Sequence, residues 1–150
     1  MEKYQTHSLK NIITNENITY LKNSYISLLS NLSITSNITD IDFLKYIDDI
    51  YKNGIIYVIV INNSDIIATG TIFLEQKIIR NCKKVGHIED IITHSNYRGI
   101  GLSTIVINEL TTYGFNNNCY KIILDCDENI KKVYEKCGYM QKSIQMAYYK

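Results

Sequence analysis

A glycine-rich loop with one arginine lies between an apolar segment and an amphipathic one, at residues 98–103 (Arg-Gly-Ile-Gly-Leu-Ser). A helix that begins here leaves several backbone N–H groups without partners, and its dipole adds partial positive charge at that end. Glycine lets the backbone approach an anion closely, and arginine adds charge. The loop therefore predicts a phosphate-binding helix start, although two glycines also suit a plain tight turn.

Three carboxylates lie within or at the end of apolar, strand-like segments. Glu89 and Asp90 are adjacent in one segment, and Asp125 closes another. Side chains alternate faces along a flat strand, so Glu89 and Asp90 reach one site only if a bulge redirects one of them. Carboxylates so placed can hold and deprotonate an amine. The plainer explanations are a surface charge for one of the pair and a turn cap for Asp125.

Tyr134, Lys77 and Arg80 also offer chemistry, and each has a plainer explanation. Tyr134 lies on a helical stripe that begins at Ile130, and this spacing alone predicts a core residue. Lys77 and Arg80 follow a strand-like segment. Two cations there suit a bound dianion, and they equally suit a solvated strand end.

The histidines and cysteines predict no metal site. His87 and His94 lack ligand-spaced partners, and the 4 cysteines form no Cys-x-x-Cys pair, so we expect reduced thiols, mostly in the core. The net charge of +1 argues against a nucleic-acid partner. No apolar run approaches the ~20 residues of a membrane span, and the first residues lack the apolar core of a signal peptide. We expect a cytoplasmic protein without a membrane partner.

Hydrophobic periodicity predicts the elements that position these residues. Helical spacing indicates helices over 18–31, 40–51 and 130–137, and another that follows the glycine loop and ends at the asparagines 116–118. β-branched and apolar runs indicate strands over 55–61, 66–74, 85–93, 120–125 and 141–149, with a hairpin turn at 62–65. This order predicts one α/β domain over 1–150 with a mixed sheet.

Several segments, in order, resemble a known family. The loop at 98–103, preceded by a strand and opening a helix, is similar to the acetyl-CoA loop of the GNAT acetyltransferase superfamily. Residues 86–91, 118–128 and 133–139 resemble one branch of it, the glucosamine-6-phosphate N-acetyltransferases. The resemblance covers roughly residues 55–140, whereas the first 50 residues match only in their two-helix layout.

The resemblance implies a GNAT fold, in which helices flank a mixed central sheet and two central strands splay apart. It implies transfer of acetyl from acetyl-CoA to the amine of D-glucosamine 6-phosphate, on the route to UDP-N-acetylglucosamine. It also implies a homodimer in which the C-terminal strand helps to build the partner's site. The implied acetyl-CoA contacts are Ile91, Ile92, Thr93, Arg98, Gly99, Ile100, Gly101, Leu102, Ser103, Thr104 and Tyr134.

Amide formation from a thioester needs a neutral amine, stabilisation of charge on the carbonyl oxygen, and a proton for the departing thiolate. The resemblance implies that Glu89, Asp125 and Tyr134 are the catalytic residues, with the Tyr134 hydroxyl beside the CoA sulfur. The base itself stays open between Glu89, Asp125 through water, and a backbone carbonyl. The implied substrate contacts are Lys77, Arg80, Glu89, Asp90, Ile91, Asp125 and Lys150.

Three positions depart from the family's pattern. Ser103 replaces a usual Gly or Ala, Asn129 stands one position early, and Lys150 stands where the branch often has an arginine. Lysine substitutes for arginine only as a point charge. Two alternatives therefore remain open: a GNAT acetyltransferase that acts on another amine, and an acyl-CoA-binding module without catalysis.

Overall fold

The protein is described by a computed structural model over residues 4–150. The elements in chain order are β1 (Thr6–Ser8), α1 (Leu9–Ile12), α2 (Ile18–Leu29), α3 (Asp40–Tyr51), β2 (Gly54–Ile61), β3 (Asp65–Gln76), α4 (Ile79–Cys82), β4 (Lys84–Thr93), α5 (Leu102–Asn116), β5 (Cys119–Ile123) and α6 (Lys131–Lys136). Short 3₁₀ turns at Ser95–Tyr97 and Glu128–Ile130 precede α5 and α6. No helix in this part of the chain is long and apolar enough to cross a membrane.

The five strands form one sheet in the order β1-β2-β3-β4-β5. Neighbouring strands from β1 to β4 are antiparallel, and β4 pairs with β5 in parallel. Asn62 and Asn63 make the β2–β3 turn with φ of 50° and 62°, a left-handed conformation that asparagine tolerates better than most residues. The mixed sheet and its hairpin confirm the predicted fold class.

Helices cover both faces of the sheet. On one face, α2 and α3 bury Leu21, Tyr25 and Phe43 in a cluster with Ile56 of β2. On the other face, α5 packs so closely that a Cβ at Gly70 would lie 2.3 Å from the Ile91 side chain and under 3 Å from two α5 side chains. This close packing holds the body of α5 against β3 and β4.

The strands β4 and β5 separate partway along their length. Their pairing runs only from Lys84 to His87 on β4, because β5 ends at Ile123. β4 continues to Thr93. The edge of β4 beyond His87 therefore has no strand beside it in the described part of the chain. This opening is the splay that the resemblance implied.

The predicted strand at 141–149 is wrong for the chain on its own. The structure has no helix or strand over residues 139–150, and residues 140–150 are all exposed. A strand needs a neighbour for its backbone groups, and local periodicity cannot supply one. The elements β1, α1 and α4 were not predicted, since each has only three or four residues.

Candidate active site

A cavity of about 350 Å³ opens where β4 loses its neighbour. Nine of the predicted cofactor residues line it: Ile91, Ile92, Thr93, Arg98, Gly99, Gly101, Leu102, Ser103 and Tyr134. Ile100 and Thr104 do not line it. Five lining residues were not predicted: Asn31, Leu32, Tyr97, Ile130 and Val133. The stripe of Tyr134 could have identified Ile130 and Val133, whereas the loop residues Asn31 and Leu32 gave no local signal.

The glycine loop adopts a conformation that only glycine takes readily. Gly99 and Gly101 have φ of 80° and 87°, and α5 begins directly afterwards. A Cβ at either position would meet nothing within 4 Å in residues 4–150. The backbone angle, rather than crowding, therefore requires glycine, and the space above the loop stays open. Arg98 Nε donates to the Thr93 carbonyl at 3.3 Å and ties the loop to the end of β4.

The lining fits a long ligand with polar groups along its chain and an anionic end. The free edge of β4 offers backbone donors and acceptors, and the start of α5 offers N–H groups for an anion. Thr93 Oγ1 is buried at this cavity and has no hydrogen-bond partner within the described residues. Unsatisfied buried hydroxyls are uncommon in proteins, so this atom is available to a ligand.

A β-bulge lies at the adjacent carboxylates Glu89 and Asp90, which, like Asp125, do not line the cavity. Across the β3–β4 pair, Thr71 faces Glu89 and Thr69 faces Ile92, so one residue between the threonines opposes two on β4. Asp90 is in the bulge with φ of 54°. This is the irregularity that the sequence required before Glu89 and Asp90 could serve one site. Both side chains are exposed.

Glu89, Asp90 and Asp125 form a cluster of like charge. Partial loss of water raises the pKa of Glu89, and the charges of Asp90 and Asp125 raise it further, while His87 opposes them. Partial loss of water likewise raises the pKa of Asp90. Asp125 Oδ2 accepts a hydrogen bond from Gln145 Nε2 at 2.8 Å. A cluster of like charge under partial desolvation attracts a cation, such as a substrate ammonium.

Tyr134 is a buried residue, as its spacing predicts, and it also lines the cavity. Its side chain is 8% exposed, and its ring meets that of Tyr139 edge-on, with 6.5 Å between centroids. Burial raises the pKa of Tyr134, and nearby Cys126 and Cys137 add to this. Its hydroxyl therefore stays protonated and can act as a donor.

The predicted basic residues lie apart from the cavity lining. Lys77 pairs with Glu75, and the Arg80 guanidinium lies 5.6 Å from the centroid of the Tyr120 ring. Lys150 is exposed at the end of the tail, outside any strand of the single chain, so its contact with substrate stays a prediction. The structure alone does not bring these three residues to the carboxylates.

The described residues contain no set of side chains arranged to bind a metal ion. Within residues 4–150, no group of three or more His, Cys, Asp or Glu side chains is placed to hold a metal ion. Asn129 is exposed and does not line the cavity.

Comparison with known proteins gives concordant results. Residues 25–139 match the model of the acetyltransferase (GNAT) family. Glucosamine 6-phosphate N-acetyltransferase of Arabidopsis thaliana is 39% identical over 132 residues, covering 85% of this chain and 89% of that protein. Glucosamine 6-phosphate N-acetyltransferase 1 of Dictyostelium discoideum is 43% identical over 111 residues, 71% of each chain.

The structural match extends over nearly the whole chain. The crystal structure of glucosamine-6-phosphate N-acetyltransferase from Arabidopsis thaliana superposes with a TM-score of 0.86 at 36% identity, covering 99% of both chains. The splayed sheet, the glycine loop at the start of α5 and these similarities agree. The chain belongs to the GNAT acetyltransferase family and, within it, to the glucosamine 6-phosphate N-acetyltransferases.

Proposed function

We propose that the protein transfers acetyl from acetyl-CoA to the amine of D-glucosamine 6-phosphate, by direct transfer in a ternary complex. The products are N-acetylglucosamine 6-phosphate and CoA. One observation carries the proposal. The separation of β4 from β5, the glycine loop and the three carboxylates all adjoin the second half of β4. This product would feed UDP-N-acetylglucosamine synthesis in the cytoplasm.

Acetyl-CoA supplies the activated thioester when it is bound. The free β4 edge at Ile91, Ile92 and Thr93 would pair with the amides of its pantetheine arm. The loop from Arg98 to Ser103 would hold its pyrophosphate through backbone N–H groups. The lining residues and the available Thr93 hydroxyl support this assignment.

The three carboxylates would hold the acceptor's ammonium and take one of its protons. A raised pKa makes Glu89 a better proton acceptor than an ordinary glutamate while it is ionised. The N–H bond electrons stay on nitrogen, which then attacks the thioester carbonyl; a C–N bond forms, the C–S bond breaks, and the second proton that nitrogen loses replaces the one given to sulfur. Tyr134, protonated at neutral pH, would donate to the departing CoA sulfur.

Lys77 and Arg80 would contact the acceptor's phosphate. The backbone supports this role, because Arg80, Asn81 and Cys82 all have left-handed φ of 57°, 57° and 58° without a glycine. Such residues cost about 1–2 kcal/mol each. Strained backbone of this kind concentrates at functional sites.

The exposed tail supports a homodimer. Four large apolar residues of the tail are between 86% and 99% exposed: Ile144, Met146, Tyr148 and Tyr149. β5 lies at an edge of the sheet and offers unpaired backbone groups. Pairing of the tail with a second copy would bury both features and carry Lys150 toward the partner's site.

An acceptor panel tests the proposal. Release of CoA thiol is followed with glucosamine 6-phosphate, glucosamine, glucose 6-phosphate and a peptide amine. We expect efficient turnover only when amine and phosphate are both present. Preference for the peptide amine would favour an acetyltransferase of another acceptor. Tight CoA binding without thiol release on any acceptor would favour a non-catalytic module.

A further inference from the structure

Glu75 near the end of β3 holds two partners at once. Its Oε2 lies 2.7 Å from His87 Nε2, and its Oε1 accepts from Lys77 Nζ. These bonds, that of Lys77 first, lower the pKa of Glu75, so it is an ionised acceptor shared by two donors. All three side chains are partly exposed, and a ligand can therefore compete for either donor.

His87 also acts on the carboxylate cluster. His87 and Glu89 are two residues apart in regular strand, facing Phe73 and Thr71 of β3, so their side chains share a face roughly 7 Å apart. Charge on His87 lowers the pKa of Glu89, which burial raises. Within residues 4–150, His87 is the group whose charge acts against that rise.

The other groups around Glu89 are all negative or neutral. Asp90 follows it in the bulge, and the charge of Asp125, two residues beyond the end of β5, also acts on it. Opposite Glu89 on β3 is the uncharged Thr71. The tail contributes the neutral Gln145, on Asp125. On β5, Lys121 pairs with Val85 and so lies on the same sheet face as His87, whereas the charge that acts to lower the pKa of Glu89 is that of His87.

Two contacts thus join Lys77, proposed to meet the acceptor's phosphate, through Glu75 to His87, and His87 shares a strand face with Glu89, proposed to meet the acceptor's amine. We propose that Glu75 couples these two ends. A phosphate that draws Lys77 away leaves Glu75 to His87 alone, and the stronger Glu75–His87 bond favours the ionised form of Glu89 that receives the amine. Glu75 and His87 are positioning residues. This coupling rests on the proposed function, and it makes the phosphate a determinant of turnover as well as of binding.

The coupling predicts how kcat depends on pH. Protonation of Glu89 removes the active form, so kcat falls as pH falls through its pKa. A phosphorylated acceptor frees Glu75 for His87 and so moves this acid limb to lower pH than glucosamine does. In Glu75→Gln and His87→Gln the difference between acceptors disappears, and the acid limb moves to higher pH. In both variants, the ratio of kcat with glucosamine 6-phosphate to kcat with glucosamine falls roughly tenfold. A coupling of this size is ordinary between contacting side chains.

The experiment measures kcat and KM for both acceptors across the neutral and mildly acidic range. Glu109→Gln, which removes an exposed carboxylate on α5 outside the cavity lining, is the matched control and keeps the wild-type profile. Lys77→Met tests the coupling even where glucosamine turns over slowly. This substitution raises KM for glucosamine 6-phosphate and leaves the acid limb of kcat in place, because Glu75 then already bonds to His87 alone. Adding Glu75→Gln to it moves the limb to higher pH.

Unchanged acid limbs in Glu75→Gln and His87→Gln, in protein that acetylates glucosamine 6-phosphate normally, would overturn the coupling and leave the proposed function intact. A KM change alone in both variants would also overturn it, since Glu75 would then only shape the binding site. Failure of the unmodified protein to acetylate glucosamine 6-phosphate would overturn the proposed function first, and the coupling with it.

Discussion

Replacing Tyr134 with phenylalanine removes one hydroxyl and little else. The ring is 8% exposed and lies in the cavity lining beside Tyr139. Phenylalanine keeps the ring, so the roughly 3–5 kcal/mol that aromatic-to-alanine changes cost in a core is avoided. We therefore expect the Tyr134→Phe protein to fold and to bind acetyl-CoA.

The expected loss is in turnover. Burial and the neighbouring cysteines raise the pKa of Tyr134, so the hydroxyl carries its proton at all working pH values. Positioned proton donors contribute roughly 10²- to 10⁴-fold to rate, which is about 3–5 kcal/mol of barrier. Because the ring is buried, water replaces the lost donor poorly. We expect kcat to fall by at least about 10²-fold, with KM for acetyl-CoA within about threefold.

The assay follows CoA thiol release at saturating acetyl-CoA and glucosamine 6-phosphate, together with thermal unfolding. The matched control is Tyr113→Phe, a partly buried tyrosine of α5 that meets Tyr57 edge-on and does not line the cavity. The control should keep its kcat. Wild-type turnover in Tyr134→Phe would refute the role of the hydroxyl, and equal losses in both variants would show a general effect of packing.

Three further changes have expected outcomes. Gly101→Ala places alanine at φ of 87°, which costs about 1–2 kcal/mol; calorimetric titration should show weaker CoA binding, and unaltered affinity would contradict the role of the loop. Glu89→Gln should remove the acid limb of kcat, because the pKa of Glu89 is raised and only its ionised form takes the proton; a limb that persists in this variant would assign the titration elsewhere. Removing residues 140–150 should convert a dimer to a monomer in light scattering and lower activity, whereas a full-length monomer with full activity would contradict the dimer.

The sequence predicted the helices and strands that have strong hydrophobic periodicity. It also predicted the glycine loop, whose backbone conformation requires glycine. Gly99 and Gly101 are in left-handed conformations, as a helix-start loop for an anion requires. The sequence also indicated that Glu89 and Asp90 could share a site only if a β-bulge redirected one of their side chains. That bulge depends on pairing with β3, which no local pattern encodes.

Other features depend on contacts that are distant in sequence. Asn31 and Leu32 reach the cavity through the placement of the α2–α3 loop against β4. The left-handed turn at residues 80–82 contains no glycine to signal it. The tail has the composition of a strand, but a strand also needs a neighbour, and the isolated chain offers the tail none.

Identification of the product tests the central claim most directly. The unmodified protein is incubated with acetyl-CoA and glucosamine 6-phosphate, and the sugar is examined by NMR while released thiol is measured. We predict an amide on the sugar nitrogen in an amount equal to the thiol released. Thiol release without an amide, or acetyl found on a hydroxyl or on the protein, would contradict direct transfer to the amine.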